Sequence, residues 1–161
     1  MAFVEVRRKD RQVSELEARE ILGRAEHGVL ATVGPDGWPY AVPLNHVLSG
    51  NILYIHCASE GHKLDNIACD ERVSYCAVAS ATVLSEQLST LYESAVVFGR
   101  AHVVIDPGEK RQALELLVTR FCGAWSAEAE KAFSAWFPRT AVVRIEIERI
   151  AGKAYRAAVG A

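Results

Sequence analysis

The chain has 161 residues, 50% of them hydrophobic and 24% charged, with a formal net charge of -2. That length supports one domain with a sizeable core, so a single domain over 1–161 is expected, and the scattered, near-neutral charge gives no pull on nucleic acid or an anionic membrane. No run approaches the roughly 18 apolar residues of a membrane span and the N-terminus lacks a secretion-type apolar stretch, so the expectation is a cytoplasmic protein that handles a small molecule.

Ser14 and Glu17 form a capping box, and Leu16, Ala18, Ile21, Leu22 and Ala25 recur at helical spacing, which predicts a leading helix stopped by Gly28. The period then changes to two. GVLATV (28–33), WPYAVPLNHVL (38–48) and ILYIHCA (52–58), separated by GPDG and SGN turns, predict an antiparallel meander. Pro39 and Pro43 fall in the second of these strands, which suits an edge or a swerve around a ligand.

LDNIACD reads as a short helix, RVSYCAVAS (72–80) as a fourth strand and SAVVFGRAHVVI (94–105) as a fifth, bent at Gly99. The intervening TVLSEQLSTLYE fits neither period. Asp106, Pro107 and Glu109 open a helix, a second runs from near Ser126 to Phe137 before Pro138, and VVRIEIERI (142–150) closes the chain as a half-wet strand. Six antiparallel strands with helices at the ends and edges predict a mainly β (α+β) fold, an antiparallel barrel rather than a two-layer sandwich, because closure removes exposed strand edges.

The chemistry concentrates in HCASEGHKLDNI (56–67). Ser59 stands where a strand gives way to a helix and is the expected N-cap, while Glu60, Gly61, His62 and Lys63 fill the first turn, whose unpartnered N–H groups favour an anion. Lysine is unfavourable at that end of a helix, so Lys63 suggests a phosphate, and Gly61 lets the backbone approach it. A plain capped helix with a solvated lysine is the ordinary alternative. By period two, His56 shares a face with Tyr54 and Ile52, opposite Leu53, Ile55 and Cys57.

A zinc site is not expected: His56 and Cys57 point to opposite faces, and His46 and His62 lack the short ligand spacing. Cys57, Cys69, Cys76 and Cys122 form no CxxC pair and read as free thiols. No GxSxG elbow, GxGxxG turn or Walker-type loop occurs, so any redox chemistry belongs to a bound cofactor. Trp38, Tyr40, Trp125, Trp136 and the five phenylalanines could line a flat aromatic cofactor's pocket or fill the core, and core or subunit interface is the expected role for most of them.

Three motifs in order, L-A-T-V (30–33) with P-Y-x-V-P-L-N (39–45), Y-I-H-x-A-x-x-G-x-K (54–63) and S-x-V-x-F-G-x-A (94–101), resemble the pyridoxamine 5'-phosphate oxidase-like superfamily with its FMN-binding split barrel. Within it the sequence is similar to the nitroimidazole-reductase-like branch, including the leading RRKDRQV. The resemblance covers roughly residues 7 to 122 and implies a six-stranded split β-barrel with FMN at a homodimer interface.

Carried onto this chain, the resemblance implies that Ser59 and Lys63 contact the flavin phosphate. His56 would lie beside the flavin or substrate as the catalytic candidate, and the backbone of Ala31, Thr32 and Val33 and of Pro43, Leu44 and Asn45 would border the ring. Ser94 falls where the oxidases carry a flavin-contacting glutamine. The arginine-rich strand of the oxidases proper is missing here, which argues against pyridoxamine phosphate as substrate and leaves phosphate binding to Lys63, Ser59 and an N-terminal arginine such as Arg8. Two functions remain open. One is an FMN-dependent oxidoreductase reducing a small organic acceptor, for instance a nitroaromatic; the other is a non-catalytic protein binding a flavin, deazaflavin F420 or haem, the last through His56.

Overall fold

Strands that bury every second residue form a sheet with one dry face, and such a sheet is best satisfied by wrapping that face inward. In the computed structural model, which describes residues 5–157, six strands do this. They are β1 (His27–Val33), β2 (Pro39–Ser49), β3 (Ile52–Ala58), β4 (Arg72–Leu84), β5 (Ser89–Val103) and β6 (Thr140–Tyr155). All neighbours are antiparallel, and the strands close into a ring in the order β1-β2-β3-β6-β5-β4. Closure decides against the sandwich.

The ring is uneven. β2 pairs with β1 from Pro39 to Asn45 but with β3 only from His46 to Ser49, so the two strands part below the His46–Ile55 pair. Both prolines lie in the stretch of β2 with a partner on one side alone, where a missing donor interrupts no two-sided ladder. The bend expected at Gly99 is a register shift between β5 and β6, where a Cβ would meet the Glu146 carbonyl oxygen at 2.1 Å.

Four α-helices attach to the ring: α1 (Glu15–Arg24), α2 (His62–Cys69), α3 (Pro107–Cys122) and α4 (Ala127–Trp136). Ser14, Asp106 and Ser126 cap three of them by accepting from the backbone N–H three residues on. α1 lays Ala18, Ile21 and Leu22 on the ring's interior beside Leu30, Leu53, Ile55, Tyr75 and Ile145. α3 covers an outer cluster of Val47, Tyr54 and Val142 with Ala113 and Leu117.

Three boundaries differ from expectation. The leading helix ends at Arg24, and β1 starts before Gly28, which is packed under the Tyr75 ring. The ambiguous stretch 82–93 is the far end of a long β4–β5 hairpin turned by Ser85–Gln87, with Leu88 at φ 48°. α2 begins at His62 with Gly61 as its cap at φ 127°, so Ser59 is not the N-cap. Only glycine adopts that backbone readily, and the helix cannot extend back to the serine.

Candidate functional site

The lips of the split are built from the segments that the sequence singles out. Continuing the β2–β3 register past His46–Ile55 would set Asn45, Leu44 and Pro43 opposite His56, Cys57 and Ala58, yet no strand pairing forms there. On the β2 side, Pro43 and Asn45 face outward and are exposed, whereas Leu44 packs against the interior cluster. Asn45 Nδ2 donates to the Glu26 carbonyl at 2.9 Å, which ties this lip to the start of β1.

α2 closes one end of the ring next to β1. Asn66 is fully buried and donates to Thr32 Oγ1 at 3.0 Å, while its Oδ1 has no partner. The Thr32 side chain is therefore committed to the interior, leaving Ala31 and Val33 as the outward residues of that segment. Tyr40 brings β2 to the same place, its ring centroid 4.4 Å from that of His62.

Gly61 opens onto free space, since an added Cβ would meet nothing within 4 Å. Lys63, in the first turn of α2, makes no hydrogen bond or ion pair among the described residues and sits near enough to Cys57 to oppose the rise that burial causes in its thiol pKa. A helix start with orphan N–H groups, an open glycine and an unspent lysine fits a phosphate group. Ser59 is exposed in the bend just before this turn, within the same loop. Arg8 does not join it: its guanidinium grips Asp10 at 2.8 and 2.6 Å. The neighbouring Arg11 stacks on Tyr155, so the segment lies against β5 and β6 instead.

Beyond the β3 lip lies a cavity of about 850 Å³, bounded by His56, Cys57 and Ala58, by Leu114 and Val118 of α3, and by α4 with the residues that flank it. Trp125, Phe133, Trp136 and Phe137 make its wall and Arg139 and Thr140 its edge. His56 is exposed at the end of β3, and the partial desolvation it meets there moves its imidazole below the usual pKa, which favours the neutral form at pH 7.

Sequence reasoning placed Trp125 and Trp136 in a core or interface and did not single out Arg139. The only signal was the run of aromatics around α4, which a core would also produce. Ser94, on β5 between Val78 and Lys153, is not brought to the split within one chain. His46, weighed only as a metal ligand, is fully buried, with Nε2 donating to the Leu22 carbonyl at 2.9 Å and Nδ1 2.9 Å from the Tyr75 hydroxyl. Among the described residues, no three His, Cys, Asp or Glu side chains converge as a metal site, and no helix is long and apolar enough to cross a membrane.

A family model described as "Pyridoxamine 5'-phosphate oxidase" matches residues 14–154. No curated protein matches the sequence. Among solved structures, an FAD-binding protein from Mesorhizobium loti is similar at 27% identity over 91% of this chain and 98% of its own, with a TM-score of 0.66. The FAD and heme binding protein from Mycobacterium smegmatis matches at 24% identity over 91% of this chain and 74% of its own, TM-score 0.78. A candidate 5-nitroimidazole antibiotic resistance protein from Bacteroides thetaiotaomicron matches at 21% identity over 88% and 85%, TM-score 0.71. The last two likenesses establish the fold.

Proposed function

Because the chain belongs to the pyridoxamine 5'-phosphate oxidase family, we propose that it is a flavin-binding oxidoreductase, with FMN as cofactor, that passes electrons to a small organic acceptor. One observation carries the reading. The β2–β3 split ends at a helix start whose lysine is engaged by no other described residue. Ser59 and Lys63, with the backbone around Gly61, would hold the phosphate. The backbone of Pro43 to Asn45 and the outward side of Ala31 and Val33 would border the ring.

Bound there, a flavin would supply the electron transfer. The chain's own residues do the rest. The aromatic wall supplies an apolar surface for an acceptor beyond the β3 lip, and His56, neutral at pH 7, orients that acceptor by hydrogen bond and relays a proton from solvent to it. A nitroaromatic is one acceptor that would fit.

The reading extends to a homodimer. The outer faces of β1, β4 and β5 expose Val29, Val33, Val78 and Phe98 at 37–50% of their surface, an apolar sheet face that a second copy would cover. Ser94 lies on β5 beside this face and would reach the flavin only across such an interface.

The test is a titration of purified protein with FMN, and with FAD in parallel, followed by gel filtration. FMN is expected to be retained, and Lys63→Ala to weaken it about tenfold or more, the worth of a charge-assisted contact to phosphate. A wild-type protein that retains no flavin overturns the proposal. A second reading, a haem-binding protein without turnover, is favoured by the neutral His56 imidazole on an aromatic cavity. It predicts a Soret band lost in His56→Ala, whereas binding of F420 in place of FMN would leave the split occupied and that band absent.

A further inference from the structure

The cavity beyond the β3 lip is chemically polarised, and the polarity names a ligand. Its wall is continuous aromatic surface: the Trp125 and Phe133 rings meet edge to face at 5.3 Å, and Phe133 and Phe137 lie 4.7 Å apart. Two cations near this wall are already spent. Arg111 lies over Trp125 and Phe133 while pairing with Glu115 at 2.7 Å and Glu130 at 2.6 Å, and Lys110 donates to the Phe137 carbonyl at 2.6 Å.

Arg139 differs. Its guanidinium lies 5.8 Å from the Trp136 ring centroid, and it makes no ion pair or hydrogen bond among the described residues. The β3–β6 register sets Ala58 opposite Thr140 and His56 opposite Val142, which gathers Arg139, Thr140 and His56 at one end of the cavity. Glu128, the one carboxylate on the lining, sits in the first turn of α4, on the order of 15 Å from Arg139 at the helical rise per residue. Its own backbone N–H and then the Ser126 hydroxyl hold its carboxyl below the usual carboxylate range. The cavity thus offers an aromatic wall with a cation at one end and a carboxylate at the other.

We propose that this cavity binds a planar aromatic monocarboxylate, its ring against Phe133 and Trp136 and its carboxylate on Arg139. A planar guanidinium fork pairs with a carboxylate through two parallel hydrogen bonds and stacks with aromatic faces, so Arg139 reads both features of the ligand. The inference rests on the split as the place of the flavin and deepens that reading by naming the class of molecule seated beside it.

The experiment follows tryptophan fluorescence in a Trp38→Phe background, because Trp38 does not line the cavity whereas Trp125 and Trp136 do. The probes are naphthoate and its neutral isostere naphthamide, titrated into the protein as purified. Naphthoate is expected to quench and to bind about tenfold tighter than naphthamide, from one charge-assisted bidentate contact. Arg139→Gln is expected to remove that preference, leave naphthamide affinity unchanged and leave the thermal midpoint where it was. Absence of quenching, equal affinities in the unsubstituted protein, or an Arg139→Gln effect shared equally by both probes each overturns the proposal. Flavin retention without carboxylate preference sinks this inference alone, and carboxylate preference without flavin retention sinks the flavin reading alone.

Discussion

The interior of the ring and its α4 cover are held by different physics. Inside, Leu53, Ile55, Tyr75, Val97 and Ile145 are fully buried in one contiguous cluster, where dispersion and the hydrophobic effect act together. α4 has no buried residue at all and stays in place through Arg111–Glu130, the Trp125 indole donating to Glu130, and Lys110 on Phe137. The first arrangement keeps the two lips of the split at a set distance. The second uses part-buried polar contacts with half-exposed partners, which individually contribute little, and it covers the cavity that a ligand must enter.

The largest expected effect tests the interior. Ile145→Ala should destabilise the protein by about 2–5 kcal/mol in urea unfolding, with flavin retention lost in parallel because the lips move with the ring. A variant of near-wild-type stability would show that the ring does not depend on this packing.

An intermediate effect sharpens the comparison through pH. Burial holds the His46 imidazole neutral, its pKa pushed down to about 4 from 6.5. A depressed histidine pKa means that the unfolded chain takes up the proton first. The stability this group contributes is therefore complete above pH 6.5 and is lost as pH falls from there towards 4, by up to about 3 kcal/mol. His46→Phe should abolish that component, read as the difference between the two proteins' unfolding free energies across pH 4.5 to 7.5. A difference that stays flat with pH would remove His46 from the account.

The smallest effect concerns the cover. Glu130→Gln should lower stability only slightly, since both partners of its bond to Arg111 are nearly half exposed, while naphthoate should exchange faster. A loss as large as that of Ile145→Ala would place α4 with the core and end the contrast.

Local periodicity made most of the ring legible. Val143, Ile145 and Ile147 alternate with charged neighbours, and Ser14 and Asp106 cap their helices as their spacing predicts. The stretch 82–93 was not legible because neither of its faces is fully buried, so no alternation is required. Ser59 was misread as a cap because a serine before a helix looks the same whether or not the backbone at Gly61 turns positive.

The sequence by itself determined which segments become strands, that the 56–63 turn gathers polar groups, and which face of β3 holds His56, because these follow from near-neighbour spacing. Only the tertiary structure decided that β2 and β3 part below His46, that Thr32 turns inward to Asn66, and that Arg139 joins His56 at one end of an aromatic cavity. Those depend on ring closure. Closure pairs residues 82 to 94 positions apart, from Ala58 with Thr140 to Ile52 with Glu146, and nothing in either segment's local pattern records the other.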